Sequence, residues 1–216
     1  MRVTLLAYTQ LVDKGLPEDI ASWEGSTDAT ILPEFAFRVC TDTTERMGED
    51  QGFLENWISQ GHETPIEHVQ FTFLIEDISR VTSHQLVRHR IASFSQESQR
   101  YVSEGSGNVI PESIRMGPEH LRTLYFDAVN RTRQVYDELV RGGIRMEDAR
   151  YVLTGSSLTR MVVSMNLRSL RNFLRLRLDK SAQWEIREVA QHIYMIINEK
   201  APQAVKDLYP LWLKSV

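Results

Sequence analysis

The sequence predicts an α+β fold, one helix-rich domain over residues 1–216 with a small, mainly antiparallel sheet. Apolar residues recur at three- and four-residue spacing through most of the chain, which is the period of amphipathic helices. Period-two alternation is confined to a few short stretches scattered among those helices, so neither a βαβ unit nor an internal repeat organises the chain. With 216 residues, 42% of them hydrophobic, and only 11 Gly and 7 Pro, the chain suffices for one substantial core, and no Pro-, Gly- or Ser-rich linker divides it.

Taken in order, residues 3–8 predict a short strand, and residues 11–30, polar and dotted with Gly and Asp, a loop. Helical spacing follows over 33–40 and again over 49–60, where Phe53, Leu54, Trp57 and Ile58 share a face and Gly61 supplies a stop. Val69, Phe71, Phe73 and Ile75 alternate along a strand with one buried face. Residues 79–89 return to a helix with Val81, Leu86 and Val87 on its apolar side, and this helix runs into a loop rich in hydroxyls and amides. The clearest helix spans 118–141, where Leu121, Leu124, Tyr125, Ala128, Val135, Tyr136 and Leu139 form a sustained stripe closed by Gly142 and Gly143. A shorter helix over 146–153, a β-leaning stretch over 158–165, and helices over 167–178 and 182–200 complete the order.

Composition narrows the function classes. Twenty-five basic against 29 acidic residues leave a net charge of −4, which argues against a protein that coats nucleic acid or an anionic membrane. No apolar run approaches the ~18 residues that span a bilayer, and the N-terminus turns polar too early for a signal peptide. A single cysteine, Cys40, excludes an internal disulfide framework and points to the cytoplasm. The cations are 20 Arg against five Lys. That bias fits either a site for several anionic groups or the codon usage of a GC-rich genome.

The densest polar site is residues 85–100, where three Arg, one His, three Ser and three Gln accompany one acid, Glu97. Phosphate recognition is one reading; a solvated helix end with cations at its C-terminal dipole is the other. The run His62-Glu63-Thr64-Pro65-Ile66-Glu67-His68 invites a metal reading but fails on geometry, because position 66 is Ile and Pro65 breaks the helix that zinc-protease spacing requires. At ~100° per residue, Arg168, Arg171, Asn172 and Arg175 share the polar face of the 167–178 helix, whereas Arg177 falls between Leu170 and Phe173 on the apolar side. There Arg177 either meets a ligand or snorkels toward an internal acid such as Glu185. Cys40 reads as a buried structural thiol and Ser98 lacks an activating base. Gly105-Ser106-Gly107 is no nucleotide-binding loop.

Arg88-His89-Arg90 followed by seven residues and Ser98 resembles the signature of the flavin-dependent thymidylate synthases. The resemblance extends to Arg38-Val39-Cys40, to the 62–68 run, and to residues 166–173 and 182–185, in the family's order. It implies an α+β homotetramer that binds FAD at subunit interfaces and makes dTMP from dUMP, with 5,10-methylenetetrahydrofolate as carbon donor and NADPH as reductant. Carried over by position, Thr64, Arg88, His89, Arg90, Gln96, Asn166, Leu167, Arg168 and Asn172 would contact FAD. Gln85, Leu86, Val87, Arg88, Gln96, Glu97, Ser98, Gln99, Arg100, Arg150 and Arg177 would hold dUMP, with neighbouring subunits completing one site. His62 would lie near the flavin ring, and Arg177 would carry the chemistry by stabilising charge on the pyrimidine. No metal is implied. Ser181 stands where many relatives have His, Gln96 where some have Glu, and Thr154-Gly155 where Leu-Pro is common. The competing classes are a non-catalytic nucleotide- or nucleic-acid-binding module and a metal-dependent hydrolase built on His62 and His68.

Overall fold

Strands with one buried face build a central sheet, which a computed structural model describes together with the helices around it for residues 1–12, 14–21, 27–102 and 107–216. β1 (Arg2–Tyr8), β2 (Gln70–Ser79), β3 (Ser93–Gln96) and β4 (Leu158–Asn166) pair antiparallel in the order β1-β2-β4-β3. Phe71, Phe73 and Ile75 lie opposite Met165, Val163 and Met161, and all six are buried, so the alternation seen in the sequence sets the register. A bulge between Ile75 and Ile78, with Asp77 at φ 58°, re-aims the end of β2.

The helices are α1 (Glu18–Ala21), α2 (Asp28–Thr41), α3 (Phe53–Ser59), α4 (Arg80–Leu86), α5 (Glu112–Arg115), α6 (Glu119–Arg141), α7 (Met146–Ala149), α8 (Leu167–Arg177), α9 (Trp184–Lys200), α10 (Pro202–Val205) and α11 (Tyr209–Ser215). Leu170, Phe173 and Leu174 of α8 and Ile186, Val189, Ile193 and Ile197 of α9 join the sheet's buried face in one core, which also takes Phe53, Leu54 and Ile58 of α3. The predicted α+β class is the observed one.

Several expectations need correction. The hydroxyl-rich stretch after Arg90 is partly strand: Ser93–Gln96 pairs with residues 161–164 of β4, its serines masking a short alternation around Phe94. The predicted loop over 11–30 holds α1 and the first turn of α2, which runs through Pro33 rather than starting there; residues 13 and 22–26 of that loop lie outside the described residues, as do Gly105 and Ser106. The helix expected from residue 49 begins after Gly52, whose φ of 74° breaks it. Cys40 is exposed rather than buried. The long helix α6 forms as expected, but only Val129 and Tyr136 of it are buried, while Leu121 and Leu124 expose 51% and 66% of their surface.

Candidate functional site

Where β2 ends, Ser79 caps α4: its Oγ accepts from the Thr82 N–H at 3.0 Å, and both its N–H and its hydroxyl donate to the buried Glu185 carboxylate at 2.6 and 2.5 Å. Leu86 anchors the far end of α4 in the core, and the chain then turns, the His89 N–H donating to the Leu86 carbonyl at 3.0 Å, which leaves Arg88 and Arg90 exposed. Opposite stands α8, capped by Asn166, whose Oδ1 accepts from the Ser169 N–H at 2.8 Å. Between the two lies a cleft of about 980 Å³ lined by His84, Gln85, Val87, Arg88, His89, Arg90, Ile91, Ser169, Asn172, Leu176 and Arg177.

Arg177 reaches across this cleft. Its Nε donates to His89 Nε2 at 3.0 Å and its Nη2 to the Gln85 carbonyl at 3.5 Å. Burial first, and the Arg177 charge second, hold His89 down at about 4, so its ring is neutral at pH 7. Accepting at Nε2, that neutral ring carries its proton on Nδ1. Burial, and then the neighbouring Arg88, lower the Arg177 pKa from its ordinary value. Among the described residues Arg88, Arg90 and Arg177 have no carboxylate within ion-pair distance, so three guanidiniums face one cleft without a protein counter-charge. The alternative partner for Arg177, Glu185, is engaged by Ser79 instead.

Gln85, Val87, Arg88, His89, Arg90, Asn172 and Arg177 thus come together in the cleft. A second group gathers elsewhere. Arg100 pairs with Glu147 at 3.0 Å, the Arg150 Nε donates to the Glu147 carbonyl at 3.0 Å, the Ser98 Oγ accepts from the Arg100 N–H at 3.3 Å, and Gln99 lies between them in sequence. Glu97 pairs with Arg160 at 2.9 Å, and the Gln96 amide donates to Ser83 at 2.9 Å and Thr159 at 3.2 Å. Leu86 and Leu167 are fully buried, which leaves only their backbone for a ligand, and Thr64 sits exposed at the start of a 3₁₀ turn (Thr64–His68).

The wheel misplaced Arg171. It is 0% exposed and belongs to an ion-pair seam, paired with Glu63 at 3.2 Å and with Asp207 at 2.7 and 2.9 Å, and donating to the Ala204 carbonyl. Arg175 joins Glu63 at 2.8 Å, and Arg168 pairs with Glu67. Burial alone would raise the Asp207 carboxyl, but Arg171 and Arg175 outweigh it and hold it below the usual range. Of the expected polar face, Asn172 is the member that lines the cleft. His62 packs edge-on against Trp57 and Phe37, with centroids 5.2 and 6.1 Å away.

His84 and Ser169 line the cleft although sequence reasoning did not select them. A signal for His84 existed, since it precedes Arg88 by four residues, the spacing that shares a face in the helix the sequence predicts over 79–89. The departures at 154–155 and 181 have local reasons. The Thr154 hydroxyl donates to Asn108 Oδ1 at 3.2 Å, and a Cβ on Gly155 would stand 2.9 Å from the Val81 side chain. Ser181 turns on the Asp179 carboxylate, its N–H and hydroxyl donating at 2.8 and 2.6 Å.

Residues 24–203 match the family model described as thymidylate synthase complementing protein. The chain is 42% identical over 197 residues to the flavin-dependent thymidylate synthase of Pyrococcus abyssi, covering 88% of this chain and 76% of the relative. To that of Pyrococcus furiosus it is 39% identical over 223 residues, covering 99% and 84%. To that of Geobacter sulfurreducens it is 44% identical over 161 residues, covering 73% and 69%.

Proposed function

This chain belongs to the thymidylate synthase complementing protein family, that of the flavin-dependent thymidylate synthases, and we propose that it converts dUMP to dTMP in the cleft between α4 and α8. One observation carries this reading: Arg88, Arg90 and Arg177 line a single cleft with no described carboxylate paired to them, an arrangement suited to polyanionic ligands. In the net reaction dUMP, methylenetetrahydrofolate, NADPH and a proton yield dTMP, tetrahydrofolate and NADP⁺.

FAD fits the residues present. A cleft of about 980 Å³ is at the upper end of ordinary ligand pockets, its rim is donor-rich, and the capped N-terminal turn of α8 presents Ser169 to it. When bound, the flavin supplies the hydride chemistry. Arg88, His89, Arg90 and Asn172 would hold it from this cleft, with Thr64, Gln96, Asn166, Arg168 and the Leu167 backbone as further contacts.

For dUMP, Gln85, Val87, Arg88 and Arg177 would contribute from the cleft, with the Leu86 backbone beside them. Gln96, Glu97, Ser98, Gln99, Arg100 and Arg150 would come from the second group. Arg177 acts on the pyrimidine. Anchored by the neutral His89 and the Gln85 carbonyl, it keeps N–H donors for negative charge developing at the N3 edge of the ring, and so needs no protein nucleophile.

None of the second group lines the described cleft between α4 and α8, which supports a site shared between subunits of a homotetramer. The exposed Leu121 and Leu124 of α6 and Ile91 at the cleft rim support the same assembly. Residues 1–216 act as one catalytic domain in this reading. The compartment is the cytoplasm, supported by an exposed free thiol at Cys40, and among the described residues no helix is long and apolar enough to cross a membrane. Reconstitution with FAD tests the proposal: it should yield flavin absorbance and dTMP formation dependent on dUMP and NADPH.

A further inference from the structure

Two glutamines meet beside the cleft. Gln183 caps α9, its Oε1 accepting from the N–H groups of Glu185 at 3.1 Å and Ile186 at 3.2 Å. Two backbone donors converge on that end of its amide, so that end must be the oxygen. The Gln85 amide meets the same oxygen at 3.4 Å and therefore turns its NH2 toward it. Its own carbonyl oxygen, which no described group engages, is then what Gln85 offers to the cleft that it lines. Every neighbour there whose role is fixed donates: Arg88, Arg90 and Arg177 by their chemistry, and His89 because its Nε2 is already taken by Arg177. The main chain of Gln85 is held too, its carbonyl accepting from Arg177 at 3.5 Å.

We infer that Gln183, which lies outside the cleft lining, is a positioning residue for nucleotide recognition. It locks the Gln85 amide so that an acceptor stands among donors, matched to a donor on the substrate. On dUMP that donor is either the sugar 3′-hydroxyl or the imide N–H of the base. The inference rests on dUMP being the ligand of this cleft. Glu185 completes the arrangement from the same turn of α9 by holding Ser79 at the other end of α4, so the first turn of α9 grips α4 at both ends.

The test is calorimetric titration of the FAD-loaded enzyme with dUMP, with flavin content checked by absorbance, for wild type, Gln85→Ala, Gln183→Ala, the double variant and Gln183→Glu. Losing one neutral hydrogen bond should raise the dUMP Kd about three- to tenfold in each alanine variant. The double variant should bind no more weakly than Gln85→Ala, because Gln183 acts through Gln85. Gln183→Glu keeps an acceptor of the same reach and should stay within about twofold of wild type. Two analogues separate the sources of the donor. Wild type and Gln183→Ala should bind 2′,3′-dideoxyuridine monophosphate equally if the hydroxyl is read, or 3-methyl-dUMP equally if the imide is. A loss of capping alone would lower the melting temperature without moving the Kd, and that result overturns the inference, as do multiplicative effects in the double variant. Wild-type holoenzyme that binds no dUMP would overturn the functional reading itself.

Discussion

Replacing Arg177 by alanine should cost far more activity than stability. In the fold the guanidinium gives up one hydrogen bond to His89 at 3.0 Å and a weak one to the Gln85 carbonyl at 3.5 Å. It also sheds the burial and the Arg88 repulsion that lower its pKa. These contributions oppose one another, so the net stability loss should be about 1 kcal/mol or less. The contact to charge developing on the pyrimidine has no such offset, and losing one charge-assisted hydrogen bond is worth about 1.5–3 kcal/mol, roughly ten- to 150-fold in rate. A contact that strengthens toward the transition state should lower kcat while leaving the KM for dUMP within a few-fold. Arg177→Lys should recover part of the rate, because one ammonium cannot serve both His89 and the substrate as the planar fork does. Steady-state dTMP formation and a melting curve on the same preparations decide the matter. Unchanged kcat in a folded Arg177→Ala enzyme would show that Arg177 does not act on the pyrimidine.

Arg171→Met should destabilise the chain by about 2–4 kcal/mol, below the full cost of orphaning a buried partner because Arg175 still serves Glu63 and Asp207. That corresponds to a melting temperature about 5–15 °C lower, and a shift under about 2 °C would contradict the ion-pair seam. His89, held at about 4 against an ordinary ~6.5, makes the fold acid-sensitive. The unfolded chain takes up the proton first, so stability is lost as pH falls from about 6.5 toward 4. Urea midpoints of flavin-free wild type and His89→Asn should therefore converge between pH 7 and 5, and parallel curves would count against the neutral ring. Cys40→Ser, at an exposed position on α2, should change stability by no more than about 0.5 kcal/mol and leave turnover near normal. Ser98→Ala should weaken dUMP binding yet retain turnover. Mass spectrometry of enzyme quenched during turnover should find no pyrimidine adduct on either residue.

Periodicity made β2, α6 and α8 readable, because one period holds along most of each, whereas β4 was readable from its β-branched Thr159, Val162 and Val163. β3 was hidden because four residues with two serines carry almost no periodic signal, and its strand character comes from pairing with β4. The same limit applies at Arg171. A helical wheel sorts residues by polarity, whereas burial of an arginine depends on Glu63 and Asp207, which lie 108 and 36 residues away in sequence. Arg177 was recognisable for the converse reason, as a cation on the wrong face of an otherwise regular helix, and the cleft supplies the cause. The partition of the remaining nucleotide contacts into two groups had no signature in the chain, because Arg100 and Glu97 find their partners, Glu147 and Arg160, 47 and 63 residues away in sequence.

The most direct test is to purify the chain, load it with FAD and follow NADPH oxidation and dTMP formation with and without dUMP and methylenetetrahydrofolate. The expected result is a yellow tetramer whose dTMP formation requires all three co-substrates and collapses in Arg177→Ala. A colourless protein that takes up no flavin, or a yellow one that forms no dTMP with every co-substrate present, would contradict it.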